Sequence, residues 1–285
     1  MGVEIEEKSG FITCNCDKII GTDIHLDFPS VGATENIILS ATLAQGVTTI
    51  NNAAMEPEIV DLAKCLNRMG AKVEGAGTNV ITITGVRKLK SIGYKIMPDR
   101  IEAGTFLCAV AVTGGNARIN NVIPEQLTPI IHKLRETGCS IEAGNNFIDI
   151  EAPKKLKAVE LKTLPYPGFP TDLQPVFGAM LTYAKGTSII VENIFESRYK
   201  YIGELIRMGA KITTEGKTAV ITGKRRLVGT NISATDLRGG AGLIVAGLSA
   251  RGTTVVEDID YILRGYEKLE EKLTALGANI KRVGD

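Results

Sequence analysis

The chain has no surplus of either charge. Its 33 lysines and arginines stand against 32 aspartates and glutamates, a formal net charge of +1. A nucleic-acid-binding protein normally carries a basic excess, and none is found. Any anionic ligand must therefore be met by a local arginine cluster. No apolar run approaches the ~18–20 residues that a membrane-spanning helix needs. The N-terminal text Met1-Gly2-Val3-Glu4-Ile5-Glu6-Glu7 is acidic and lacks a signal-peptide core. Five cysteines in 285 residues make no disulfide framework and point to a reducing, cytoplasmic setting. Cys14 and Cys16 alternate on a strand, so they are expected to share one face, packed in the core. No further Cys or His accompanies them, so no metal site is expected, and His25 and His132 read as packing or surface residues. What remains is an ordinary globular composition, 44% hydrophobic and 23% charged, with length enough for about two domains.

The chain repeats itself. Gly2, Gly70, Gly138, Gly209 and Gly277 stand at spacings of 68, 68, 71 and 68 residues. Their surroundings are alike: Arg68-Met69-Gly70-Ala71-Lys72, Arg207-Met208-Gly209-Ala210-Lys211 and Ala275-Leu276-Gly277-Ala278-Asn279. A second marker precedes each later glycine, as in Gly46-Val47-Thr48-Thr49-Ile50, Gly115-Asn116-Ala117-Arg118-Ile119, Gly186-Thr187-Ser188-Ile189-Ile190 and Gly252-Thr253-Thr254-Val255-Val256. About four copies of a ~70-residue unit are visible. Each reads as an apolar helix, a glycine turn and short strand, an amphipathic helix ended by glycine, a hairpin, and a further strand before the next unit. The fold class is α/β, built from α+β repeats. Residues 1–14 match a closing hairpin without its helices, and Ala278–Val283 reads as a strand whose hairpin partner does not follow. The expectation is a chain cut at the front, with open strand edges through which it self-associates.

Five ordered motifs give the chain a family resemblance. They are Asp27-Phe28-Pro29-Ser30-Val31-Gly32-Ala33-Thr34, Pro98-Asp99-Arg100-Ile101-Glu102, Phe169-Pro170-Thr171-Asp172-Leu173-Gln174, Ala234-Thr235-Asp236-Leu237-Arg238 and Arg264-Gly265-Tyr266. Together they resemble the UDP-N-acetylglucosamine enolpyruvyl transferases, over essentially the whole chain. The resemblance implies the enolpyruvyl transferase fold, an inside-out α/β barrel of six repeats in two domains with a cleft between them. Residues 1–95 would be the later part of the UDP-sugar domain, and 96–285 the second domain. The implied reaction moves the enolpyruvyl group of phosphoenolpyruvate to the 3-hydroxyl of UDP-N-acetylglucosamine, the first committed step of peptidoglycan precursor synthesis, without a cofactor. Membrane and nucleic acid are not implied partners. Two rivals stand beside it: a shikimate-pathway enolpyruvyl transferase and a non-catalytic repeat scaffold.

The resemblance also assigns roles. Phe28, Pro29, Ser30, Val31 and Gly32, at a helix start, would hold the UDP moiety on exposed N–H groups and the helix dipole. Ser30 would cap that helix in any case. Asp172 would accept the proton of the sugar 3-hydroxyl or orient that hydroxyl, and the same residue type is a common helix cap. Arg238 and Arg264 would clamp phosphoenolpyruvate with planar, permanently charged forks. Arg238 lies at a helix start, where a cation opposes the dipole. Arg100 and Arg198 are further candidates, and Ile194 would touch the uracil ring. Asp99, Glu102 and Asp236 are expected to pair with the arginines. The family's general acid, a cysteine on a mobile Pro-Cys loop, has no counterpart among Cys14, Cys16, Cys65, Cys108 and Cys139. The family's Lys-Asn pair is missing too, so the chain alone is expected to be catalytically incomplete. Gly239, Gly240 and Gly242 read as a close helix-packing surface rather than a nucleotide loop.

Overall fold

The structure, a computed structural model, describes residues 1–224 and 226–284. The chain forms two compact units, Met1–Met97 with Pro165–Pro167, and Pro98–Leu164 with Gly168–Asp285.

The first unit opens with a hairpin, β1 (Glu4–Lys8) and β2 (Phe11–Asn15). Lys8 lies opposite Phe11, and the two linking residues, Ser9 and Gly10, both have positive φ, as a two-residue hairpin turn requires. There follow β3 (Asp23–His25), α1 (Val31–Ala41), β4 (Val47–Asn51), α2 (Pro57–Arg68), β5 (Lys72–Glu74) and β6 (Val80–Thr84). Their sheet runs β3-β4-β6-β5, with β3 parallel to β4 and the other pairs antiparallel. Ile50, Ile81 and Ile83 point from it onto Ile38 of α1 and Ile59, Ala63 and Leu66 of α2.

The second unit repeats this plan. Its elements are α3 (Arg100–Thr113), β7 (Asn116–Asn120), α4 (Thr128–Glu136), β8 (Ser140–Ala143), β9 (Phe147–Glu151), β10 (Glu160–Lys162), α5 (Gln174–Leu181), β11 (Thr187–Val191), α6 (Ile202–Arg207), β12 (Lys211–Glu215), β13 (Thr218–Thr222), β14 (Asn231–Ser233), α7 (Leu237–Ser249), β15 (Val255–Glu257), α8 (Asp260–Leu263) and α9 (Leu269–Ala275). The sheet β10-β11-β13-β12 has the same order as the first unit's four-stranded sheet, and β7-β9-β8 and β14-β15 are smaller versions. The layering is inside-out: α3, α5 and α7 pack on one another, with the sheets outside them. These helices are apolar all round, and every residue of α5 is buried. Glycine lets them approach: a Cβ on Gly242 would meet the Pro175 carbonyl oxygen at 2.8 Å. Among the described residues the strands fall into five separate sheets, however, and no closed barrel forms. The sheets β3-β4-β6-β5, β7-β9-β8 and β10-β11-β13-β12 each contain their own antiparallel hairpin, whereas β14-β15 is a parallel pair.

The repeated glycine has a structural reason. Gly70, Gly138, Gly209 and Gly277 follow α2, α4, α6 and α9 with φ of 104°, 99°, 90° and 96°. In each case the next residue's N–H bonds back into the helix: Ala71 to Leu66, Cys139 to Leu134, Ala210 to Leu205 and Ala278 to Leu273. This is the Schellman closure, whose left-handed position favours glycine.

Two further expectations fail. Cys14 and Cys16 are exposed, not core, because every residue of β1 and β2 is exposed. Ala278–Val283 forms no strand among the described residues. Ala278 and Ile280 pack against the core, and the Ile280 carbonyl is met by the Thr274 hydroxyl at 3.4 Å, a local closure rather than a strand ladder.

Candidate active site

In the first unit the chain enters α1 through Phe28 and Pro29. Ser30 caps the helix, its Oγ accepting the Ala33 N–H at 3.3 Å. The N–H groups of Val31 and Gly32 head the helix, where no intrahelical acceptor exists. No acidic residue occupies the first turn. A Cβ on Gly32 would meet nothing within 4 Å, so the helix start is open on that side. Phe28 is exposed. This geometry suits an anionic group.

The second unit brings two of the sequence-singled arginines, Arg198 and Arg238, onto the carboxylate of Asp172. Asp172 lies in a short 3₁₀ turn, Thr171–Leu173, that runs into α5. Its Oδ1 accepts from Arg198 Nη2 at 3.0 Å and its Oδ2 from Arg238 Nη2 at 3.1 Å. The Asp172 side chain is 39% exposed, whereas those of Arg198 and Arg238 are 9% and 15% exposed. Two nearly buried guanidiniums thus converge on one carboxylate that still reaches solvent. Ile194, in the loop after β11, is half-buried, and its N–H donates to Glu192 Oε1 at 2.9 Å.

Arg238 is the second residue of α7, where the helix dipole disfavours a cation. Asp236 offsets this, accepting from the N–H groups of Arg238 and Gly239 at 3.0 and 2.9 Å. Arg238 Nη1 also donates to the Tyr266 hydroxyl at 3.4 Å, and that hydroxyl lies 2.9 Å from Thr105 Oγ1. Burial alone would lower the Arg238 guanidinium, but Asp172 and Tyr266 carry it above its usual value. Burial also raises the Tyr266 phenol, against the opposing charge of Arg238.

Arg264 follows α8 directly and is exposed; its N–H bonds back to the Ile262 carbonyl, and its side chain makes no hydrogen bond or ion pair among the described residues. Its neighbour Gly265 lies against Leu237, and Tyr266 touches Arg238, so the Arg264-Gly265-Tyr266 text runs beside the start of α7. Arg100 is buried at the start of α3. The expected partners of the arginines differ from those found. Asp99 and Asp236 spend their side chains as caps of α3 and α7. Glu102 pairs with Lys272 at 2.6 Å. Asp172 takes Arg198 and Arg238 instead, while cap geometry turns the Asp99 and Asp236 carboxylates toward backbone N–H groups.

Sequence reasoning missed Glu192, Thr171 and Thr105 as members of this network. A signal for Glu192 existed. Six residues after the marker glycines Gly46, Gly115 and Gly252 stand Asn52, Asn121 and Asp258, each with φ near 55°, whereas six after Gly186 stands Glu192.

Comparison with known proteins places the chain in a lineage. The EPSP synthase (3-phosphoshikimate 1-carboxyvinyltransferase) family model matches residues 1–273. The chain is 55% identical over 284 residues to UDP-N-acetylglucosamine 1-carboxyvinyltransferase 2 of Caldanaerobacter subterraneus subsp. tengcongensis, covering 99% of this chain and 68% of the relative. It is 54% identical over 283 residues to UDP-N-acetylglucosamine 1-carboxyvinyltransferase 1 of Carboxydothermus hydrogenoformans, covering 99% and 67%. Among solved structures, the enolpyruvyl transferase NikO from Streptomyces tendae is similar with a TM-score of 0.88 and 25% identity, over 98% of this chain and 69% of that one. An EPSP synthase from Acinetobacter baumannii shares the fold, with a TM-score of 0.73 and 21% identity over 96% and 68%.

Proposed function

The chain belongs to the EPSP synthase family of carboxyvinyltransferases, and on that premise we propose that it serves the transfer of enolpyruvyl from phosphoenolpyruvate to the 3-hydroxyl of UDP-N-acetylglucosamine. The observation that carries the reading is the doubly paired Asp172, a solvent-reaching carboxylate held by two nearly buried arginines. The choice of acceptor follows the relatives, whose names specify UDP-N-acetylglucosamine. The shikimate-pathway reading lacks that support, and a mere scaffold needs no carboxylate shared between two buried guanidiniums.

In this reading Asp172 accepts the proton of the sugar 3-hydroxyl as that oxygen attacks C2 of phosphoenolpyruvate. The methylene carbon takes up a proton in the same addition. The tetrahedral adduct then loses phosphate, and a proton leaves the methyl group to restore the vinyl ether. Arg198, Arg238 and Arg264 hold the carboxylate and phosphate, whose charges suit bidentate guanidinium contacts. Binding there exchanges the Asp172 partner of Arg198 and Arg238 for substrate oxygens and leaves Asp172 freer to take a proton. Arg100 adds positive charge at the start of α3. Phe28, Pro29, Ser30, Val31 and Gly32 receive the UDP diphosphate at the head of α1, and Ile194 meets the uracil. No described residue is assigned the proton donor to the methylene carbon.

No helix of the described chain is long and apolar enough to cross a membrane, and a cytoplasmic role in bacterial cell-wall precursor synthesis fits the proposed substrates. Self-association through the exposed hairpin of β1 and β2, where Ile5, Phe11 and Ile12 face solvent, would show as a concentration-dependent mass in solution. Calorimetric titration with UDP-N-acetylglucosamine and, separately, shikimate 3-phosphate tests the substrate assignment. Saturable binding of the first and none of the second is expected, and the reverse order would overturn the assignment.

A further inference from the structure

We propose that Glu192 is a positioning residue for the Asp172–Arg198 pair, acting through the Thr171 hydroxyl. The inference deepens the assignment of Asp172 and Arg198 to substrate handling and rests on it. Glu192 is 4% exposed and follows β11. Its Oε1 accepts four hydrogen bonds: from Thr163 Oγ1 at 2.8 Å, Thr171 Oγ1 at 3.0 Å, Ile194 N at 2.9 Å and Phe195 N at 3.0 Å.

The direction of these bonds follows from the neighbours. Arg198 Nε donates to Thr171 Oγ1 at 3.0 Å. The Thr171 hydroxyl has one proton, and Glu192 is the acceptor that receives it. The Asn193 N–H likewise donates to Thr163 Oγ1 at 2.8 Å, which directs the Thr163 proton to Glu192. All four groups are therefore donors to one oxygen, an arrangement that calls for a carboxylate rather than an amide. A directed chain results, from Arg198 through Thr171 to Glu192.

The same oxygen also fixes the loop beneath Arg198. The N–H groups of Ile194 and Phe195 turn onto Glu192, and the Arg198 guanidinium lies over the Phe195 ring, 4.4 Å from its centroid. Arg198 is thus anchored at Nε by Thr171 and supported by Phe195, and both supports terminate on Glu192. Its remaining Nη2 reaches Asp172. The repeats sharpen the point. The equivalent position holds Asn52, Asn121 or Asp258 elsewhere, and only the repeat that contains Asp172 has glutamate there.

Glu192→Gln is the informative variant. It keeps the shape but removes the charge, and Oε2, buried and without a partner among the described residues, becomes a site for an NH2 group with no acceptor. Thr171→Val cuts the relay from the other end, and Thr171→Ser preserves it. Side-chain Nε–H exchange is read by NMR in the full chain, with the Arg198 resonance identified by its loss in Arg198→Lys, and inorganic phosphate is titrated into each variant. The expected result is a slowly exchanging Arg198 Nε–H in the wild type and in Thr171→Ser. Glu192→Gln and Thr171→Val should lose that protection and weaken phosphate binding by a similar factor, on the order of 10-fold, with the double variant no weaker than either single one. An Arg198 Nε–H unchanged in Glu192→Gln, or phosphate losses that add, would overturn the proposal. A wild-type chain that binds no phosphate would count against the functional reading, and the Nε–H exchange would still decide the role of Glu192.

Discussion

Arg238 Nη2 donates to Asp172 Oδ2 at 3.1 Å, joining the second residue of α7 to the turn that opens α5. Arg198 approaches the other oxygen of the same carboxylate. Asp172→Asn therefore leaves two nearly buried guanidiniums without their shared anion. Removing one partner of such a cluster should cost about 1–3 kcal/mol of stability, moderated by the exposure of Asp172. The same change frees both arginines, so inorganic phosphate should bind more tightly to Asp172→Asn than to the wild type. Turnover in a competent enzyme should fall by roughly 10²–10⁴ if Asp172 is the base. Denaturant unfolding and phosphate titration check the first two effects, and phosphate release the third.

Gly70→Ala isolates the cost of the left-handed helix closure. Its φ is 104°, yet a Cβ there would meet nothing within 4 Å. The loss should be about 1–2 kcal/mol from backbone strain alone. Gly70→Asn should lose less, since asparagine tolerates this region better. Thermal unfolding of the two variants compares them directly.

Gly242→Ala tests the helix approach instead. The added methyl would press on the Pro175 carbonyl at 2.8 Å, and overpacking of this kind costs about 1–3 kcal/mol. Because α7 also presents Arg238, weakened phosphate binding should accompany the lower melting temperature.

Arg118 and Asp149 face each other across β7 and β9, with Nε to Oδ1 at 2.7 Å and Nη2 to Oδ2 at 2.6 Å. The hydrogen bonds from Arg118, aided by its charge, hold the Asp149 carboxyl below its usual range, against the opposing effect of desolvation. A depressed folded pKa means that the folded state binds fewer protons. The stability contribution is present above the unfolded value of about 4 and is lost as pH falls through the lower folded value. The melting-temperature gap between wild type and Asp149→Asn should therefore be small at neutral pH, narrow below about pH 4 and disappear in stronger acid. A gap that widens in acid would refute this.

The repeats were legible because each rests on a local requirement. The Arg-Met-Gly-Ala-Lys text is a Schellman closure written in residues, and the apolar helix before Gly186 announces burial on all sides, whereas the one before Gly46 leaves Leu39 and Leu43 exposed. Ser30 was legible as a cap for the same reason. What escaped depends on partners remote in sequence. Cys14 and Cys16 have core-like alternation, but alternation names a face and not whether anything covers it. Asp99, Glu102 and Asp236 looked like partners for arginine. Cap geometry turned two of them to the backbone, and Lys272, 170 positions from Glu102, took the third. Glu192 was hidden because its four donors come from three separate segments, although its departure from Asn52, Asn121 and Asp258 marked it.

The most direct test of the Asp172–Arg198–Arg238 centre is calorimetric titration of phosphoenolpyruvate into the chain, in the presence of UDP-N-acetylglucosamine, for wild type and Arg238→Met. Arg238→Met replaces the fork by an apolar chain of similar length while the Asp236 cap on α7 is retained. The account predicts saturable binding by the wild type, weakened by roughly 10-fold or more in Arg238→Met. Equal affinities in the two proteins, with both folded, would contradict it.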